Sequence, residues 1–350
     1  MRVLIFILLW PLVAFSAADN EGHITGNGGD VVVCKKDGSV VSVELLDFTE
    51  ARIKRKINYN LGSAELSYKE KVKLAVDRFT ELSPVRAKAY QIYTDMFESE
   101  SNFLTGQVLT DITDEDYSFI PAGCTVEQIV IQSEPQFPED FRYIVNKDLW
   151  DLLDNDNKAG LVLHEVFYRE AIHFYDATNS VGVRYLNSYL TADKFKEGDF
   201  RTFLDRLNRA EFKWTDIDGV YVQVKYTNIS PDNNLIRARP AGTIQPIEAT
   251  NFIGKIDPGI LTSAAAVSFY NESKKLMAFP LYEGTFIHEE KEYEVSPKCV
   301  VRLYENRHVK GLCLSEDAEL LFADGKTYTI PKQNFINFDD EGRVLSYDPM

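Results

Sequence analysis

The sequence predicts an α+β protein: a mainly helical first domain carrying a small sheet, then a domain of β-hairpins. Three observations point to it. Apolar residues recur at helical spacing in successive segments from Glu44 to about Leu207. Near Thr215 that period stops, and short strands rich in aromatic and β-branched residues take over. In this second region VSFYNESKKLMAFPL (267–281), VRLYENRHVKGLCLS (301–315) and INFDDEGRVLSYD (336–348) align, with Phe269, Leu303 and Phe338 spaced 34 and then 35 residues apart. The expected division is a signal segment 1–18, an α/β domain 19–215 centred on the His164 helix, and a hairpin domain 216–350.

Residues 1–18 combine a basic Arg2, an apolar stretch 3–15 and the small-residue end Ser16-Ala17-Ala18, the pattern of a secretory signal. The apolar stretch is short for a membrane span and no later one is longer, so no span is expected after cleavage. The mature chain is therefore expected outside the cytoplasm, periplasmic or secreted.

Asp37-Gly38 between the β-branched runs 31–35 and 40–43 predicts a hairpin. The preceding Gly26-Asn27-Gly28-Gly29-Asp30 leads into a strand, whereas a phosphate-binding loop leads into a helix and ends in GK[ST]. Helices are expected over 44–57 and 68–82, and from Ser83-Pro84 to about Phe97, the last by its proline at the first helical position. Strands follow at 106–109, 117–120 and 126–132, with Pro121-Ala122-Gly123 as a turn. The acidic piece 111–116 lacks the glycine and terminal glutamate of a calcium loop and reads as solvated. Then come a strand over 141–145 and helices over 146–154, 158–176, 181–190 and 195–207. In the second domain KEYEV (291–295) and KTYTI (326–330) fall between the larger copies, and 223–239 reads as a degenerate earlier one. One hairpin is too small to be stable alone, so the units are expected to stack.

The helix 158–176 carries the only catalytic-looking string. Glu165, Arg169, Glu170 and His173 fall on one polar arc, while His164 sits among Leu161, Phe167, Tyr168, Ala171 and Tyr175. One reading is a core histidine with a buried partner and a Glu165–Arg169 surface pair, with Arg184 either returning to Glu165 or Asp176 or standing as a plain surface arginine. The other is a metal site. Zinc hydrolysis by an HExxH helix needs two imidazoles one turn apart with the glutamate between them polarising a bound water. Here the second position is Tyr168, and His173 faces away, so further ligands would have to come from His23, His173, His288, His308 or a carboxylate. No nucleophile elbow, dinucleotide fingerprint or CxxC pair occurs.

A hydrophobic content of 45% and a charged content of 26% are those of a globular protein, but the net charge of −16 disfavours nucleic acids and anionic membranes as partners. In an exported chain the four cysteines read as disulfides, and four allow three pairings. Cys34 ends the first strand and Cys124 precedes the strand 126–132, so these two are expected to join. A turn centred on Asn306 sets Cys299 opposite Cys313, Val301 opposite Gly311 and Leu303 opposite Val309, which chooses the second bridge.

The strings GNGGDVVVC, SVELLDF, FIPAGC, KAGLVLHEVFYRE and NSVGVRYLNSYL, spanning 26–190, together resemble exported proteins of Bdellovibrio-type predatory bacteria. That resemblance implies origin and export and no particular chemistry. The later units, with Tyr304-Glu305-Asn306-Arg307 and Asp340-Glu341-Gly342, resemble MORN-like hairpin repeats, which implies a scaffold or contact surface. The His164-Glu165 helix resembles that of zincins, which implies His164 as zinc ligand, Glu165 as general base and Tyr168 as a ligand or oxyanion stabiliser. The expected function is a non-catalytic binding or structural protein for a protein or cell-envelope ligand, without a cofactor. The alternative is a zincin-like metallohydrolase.

Overall fold

The computed structural model describes residues 26–349 apart from 79, 111–118, 176, 193–194, 196–199, 225–226, 230–234, 243 and 258–265. The segment 1–18, His23, the acidic piece 111–116 and Asp176 therefore lie outside the described residues. The molecule is α+β, helical in its first half and β-rich in its second, as the periodicities predict. No helix of the described residues is long and apolar enough to cross a membrane.

The helices are α1 (Leu46–Glu50), α2 (Tyr68–Asp77), α3 (Pro84–Met96), α4 (Lys147–Leu152), α5 (Asn155–Tyr175), α6 (Val181–Leu190) and α7 (Phe200–Arg209). Asp30–Lys36 and Ser39–Leu45 form the expected hairpin, and both turn residues, Asp37 and Gly38, have positive φ. The helix expected over 44–57 is shorter, because the second strand runs on to Leu45. α1 then widens into a π-helical turn, Ala51–Arg55, that stops at Lys56 in a left-handed conformation (φ 56°). The strand expected over 106–109 forms earlier, at Ser101–Leu104, parallel to Tyr143–Asn146.

The apolar run 126–132 breaks at Ile129. Cys124–Gln128 pairs with Asp30–Lys36, while Val130–Gln132 joins a four-stranded sheet with Gly26–Asn27, Tyr143–Asn146 and Ser101–Leu104. The break has a cause: the N–H groups of Ile129 and Val130 both donate to the Gly29 carbonyl, at 3.1 and 3.2 Å. The sequence VEQIVIQ over 126–132 gives no sign of such a shared acceptor.

α5 packs against α2, α3, α6 and the strand Ser39–Leu45, and every residue over 159–168 is buried. The expected amphipathic helix is thus a central one. Its polar arc is not a solvated face: Glu165 and Glu170 are inside, and only Arg169 of the three at 165, 169 and 170 is partly exposed.

Beyond the shared hairpin of Trp214–Ile217 and Val220–Gln223, a large sheet runs in the order Asn228–Ile229, Leu235–Ala238, Val267–Tyr270, Leu276–His288, Val300–Leu303, Val309–Cys313, Phe335–Phe338, Val344–Asp348. Successive hairpins are tied alike. The Tyr270 hydroxyl donates to the Leu303 carbonyl (3.0 Å) and the Tyr304 hydroxyl to the Phe338 carbonyl (2.9 Å). Asp339 occupies the next corresponding position and accepts from the N–H groups of Glu341 and Arg343 in its own turn.

Both bridges form, Cys34–Cys124 between directly paired strand residues and Cys299–Cys313 with a Cα–Cα distance of 5.9 Å. The register expected for the second is only partly right. Leu303 does face Val309, but a bulge then sets Arg302, not Val301, opposite Gly311. Cys299 lies in the bend before its strand and reaches Cys313 from there, not across a ladder pair.

Two hydrophobic cores result. One surrounds α5 and the other lies under the large sheet. The hairpin of Trp214–Ile217 and Val220–Gln223 serves both: Trp214 and Tyr221 pack on the first, Val220 and Val222 in the second.

Candidate functional site

The site is a buried polar cluster around the middle of α5. Its N-terminal edge depends on two glycines. A Cβ on Gly28 would stand 2.1 Å from the Val130 carbonyl oxygen, and one on Gly29 would stand 2.2 Å from Leu161 Cδ1. Only glycine lets the backbone pass this close, and the Gly29 N–H then donates to Glu165 Oε1 at 2.6 Å. With its amide nitrogen turned to the helix, Gln132 donates to Glu165 Oε2 (3.0 Å) and to the Glu165 carbonyl (3.1 Å). Burial pushes the Glu165 carboxyl up to about 7, although the charge of His164 and the Gly29 N–H pull the other way.

His164 points away from Glu165. Its Nδ1 lies 2.9 Å from Asp47 Oδ2 and 3.2 Å from Oδ1. Asn187 of α6 completes the corner, donating to Asp47 Oδ2 (2.7 Å) and to the Gly160 carbonyl (2.9 Å). Burial alone would raise the Asp47 carboxyl and lower the His164 imidazolium. Their mutual attraction outweighs it, so Asp47 is held below, and His164 above, its ordinary value. Among the described residues His164 Nε2 is buried without a hydrogen-bond partner.

Three further cations close the cluster. Arg184 donates from Nε to Glu50 Oε2 (3.0 Å) and from Nη1 to Ser180 Oγ (3.0 Å); it is buried, and of its two expected partners Asp176 lies outside the described residues while Glu165 faces Gly29 instead. Glu50 follows Asp47 on α1 and so faces α6, whereas Glu165 faces the glycine strand. The expected Glu165–Arg169 pair is likewise absent: Arg169 meets Glu100 at 2.8 Å, because Glu165 is turned inward to Gly29. Arg86 of α3 grips Glu170 through Nε and Nη2 (2.9–3.2 Å) and donates from Nη1 to the Gly242 carbonyl (2.9 Å); the Tyr90 hydroxyl also donates to Glu170.

Among the described residues the zinc ligand set does not assemble. Tyr168 is buried, its ring centroid 6.2 Å from that of His164. His173 lies against Phe174 at the end of α5, and His288 stacks on Phe286 under the large sheet. Among the described residues no group of three His, Cys, Asp or Glu side chains is close enough to hold a metal ion. The residues at hand do not fit a closed zinc centre.

Sequence reasoning singled out His164 and Glu165 but missed Asp47, Gln132, Asn187 and Arg86. A signal for two of them was present in the co-occurring strings. SVELLDF supplies Asp47 and NSVGVRYLNSYL supplies Asn187, while GNGGDVVVC supplies Gly29, all converging on KAGLVLHEVFYRE. No protein-family model matches this chain, and no curated protein and no solved structure matches it.

Proposed function

We propose that this chain is an exported, non-catalytic binding or structural protein for a protein or cell-envelope ligand, periplasmic or secreted and working without a cofactor. The observation that carries the reading is the use of the Glu165 carboxylate, whose two oxygens meet Gly29 and Gln132 inside the molecule. A general base needs a free lone pair facing substrate or metal-bound water. Here the carboxylate fastens a strand to a helix. Two disulfides support export, and the resemblance of the hairpins to MORN-like units supports a contact surface.

One observation favours the second reading, a zincin-like metallohydrolase using His164, Glu165 and Tyr168. A carboxylate on Nδ1 and a bare Nε2 is the arrangement of a metal-ligating histidine. Metal analysis of the purified protein, before and after chelator, separates the two. Less than stoichiometric zinc and an unchanged melting curve are expected. One zinc per chain, lost in His164→Ala together with peptide hydrolysis, would establish the metalloenzyme.

A further inference from the structure

A second cluster, on α6 and α7, borders the buried network, which it meets at Glu50 through Arg55. Tyr185 and Tyr189 stand one turn apart on α6, their ring centroids 4.8 Å apart. From α7 the Arg206 guanidinium lies 3.6 Å from the centre of the Tyr189 ring, and its Nη1 donates to the Tyr185 hydroxyl at 2.9 Å. Arg209, one turn further and exposed, also acts on that hydroxyl, lowering its pKa. Arg55 covers the Tyr185 ring from the π-helical turn, 5.3 Å from its centre.

The charges here do not balance. Arg55 is met by Glu50 at 2.8 Å, but Arg206 and Arg209 have no carboxylate within ion-pair distance among the described residues. The Tyr185 phenol registers the excess, whereas burial and the neighbouring Tyr185 raise the Tyr189 phenol. Burial raises the Tyr185 hydroxyl, yet its bonds to Arg206 and Tyr189 and the charge of Arg206 bring it below the ordinary value.

An arginine with an aromatic face beneath it and a hydroxyl beside it loses little freedom when it binds. Guanidinium has five N–H donors, and Tyr185 uses one, so among the described residues an edge of the Arg206 fork is left for an external acceptor. The net charge of −16 repels an extended polyanion. A small anion within a Debye length, about 10 Å at 0.1 M salt, responds mainly to the two nearest cations.

We propose that Arg206 and Arg209, oriented by Tyr185 and Tyr189, bind an oxyanion, the phosphate or carboxylate group of a small molecule. Arg206 supplies the fork and Arg209 the second charge. This site is separate from the α5 cluster and stands whether or not the chain is an enzyme.

The test is a titration of the purified full chain with inorganic phosphate and with acetate, followed by the tyrosine difference spectrum at constant ionic strength. Saturable binding is expected, weakened roughly tenfold or more in Arg206→Gln and in Arg209→Gln. Arg206→Lys keeps the charge without the fork, so it should also bind more weakly. Each variant is compared by circular dichroism and melting, and exposed Arg209 provides a variant that leaves the packing intact. Vesicles containing anionic phospholipid separate a lipid headgroup from a free anion, and no co-sedimentation is expected. The proposal fails if phosphate and acetate do no more than chloride, or if both glutamine variants bind as tightly as the parent. It also fails if the vesicles bind through Arg206.

Discussion

Gly29 donates its backbone N–H to the Glu165 carboxylate at 2.6 Å, joining residues 136 positions apart. The contact explains why a glycine pair and an acidic α5 occur together: each removes a problem the other creates. The glycines admit the backbone to the helix surface, and the carboxylate satisfies an N–H that burial would otherwise leave bare. Glu165 is thereby a joint between strand and helix.

If closeness is the reason for the glycines, one methyl group should be costly. Gly28→Ala is expected to destabilise the fold by about 1–3 kcal/mol, since the added carbon meets backbone, which cannot rotate away. Urea melts measure this. A loss below about 0.5 kcal/mol would mean that the strand shifts freely.

The raised Glu165 carboxyl makes stability depend on pH with a definite sign. Its folded value of about 7 lies above the ordinary value of 4.5, so the folded chain holds the proton more tightly. The contribution is complete below about 4.5 and is lost as pH rises through 7, for a total on the order of 3 kcal/mol. His164, also raised, acts in the same direction as pH rises past its ordinary 6.5, while depressed Asp47 loses its contribution as pH falls below its ordinary 3.8. Glu165→Gln should flatten the decline between about pH 5 and pH 8. An unaltered profile in that variant would assign the slope to other groups.

Arg86 and Glu170 are both buried, and Arg86 also reaches Gly242 beyond the shared hairpin. Removing one member strands a charge, so Arg86→Met or Glu170→Gln alone should cost about 3–5 kcal/mol. Exchanging both for apolar residues should cost much less than the sum. A double-mutant cycle with no coupling would contradict this account.

The two bridges should differ under reduction. Cys34 and Cys124 are partly exposed, whereas Cys299 and Cys313 are buried. Graded thiol treatment followed by alkylation and peptide mapping is expected to open Cys34–Cys124 first. With a sequence separation of 90 against 14, its loss should also cost more, about 4–5 against 3 kcal/mol on the chain-entropy model. Simultaneous opening would show that exposure does not control access.

Local order was legible where a local rule sets it. α6 has the expected bounds because its apolar spacing and the turn-rich residues before it are read within a dozen positions. The Asp37-Gly38 turn needed two residues. What was illegible depends on distant chain. Periodicity placed Glu165 and Glu170 on a polar arc, and these two are buried because Gly29 and Arg86 arrive from elsewhere to meet them. The Ile129 break depends on Gly29, and the Cys299 geometry on a bulge at Lys310 that no turn residue announces. His164 was found by its neighbour in a motif, while Asp47 was passed over as one acid among many in an acidic chain.

The tyrosine tie between hairpins also has a direction. Tyr270 and Tyr304 each hand a hydrogen bond forward to the next hairpin. Asp339 has a side chain too short to reach onward, and its oxygens are engaged by Glu341 and Arg343. The relay therefore halts at a residue that accepts where its predecessors donate. The last hairpin is thus fastened to its predecessor by the Tyr304 hydroxyl, while its own turn is closed internally by Asp339.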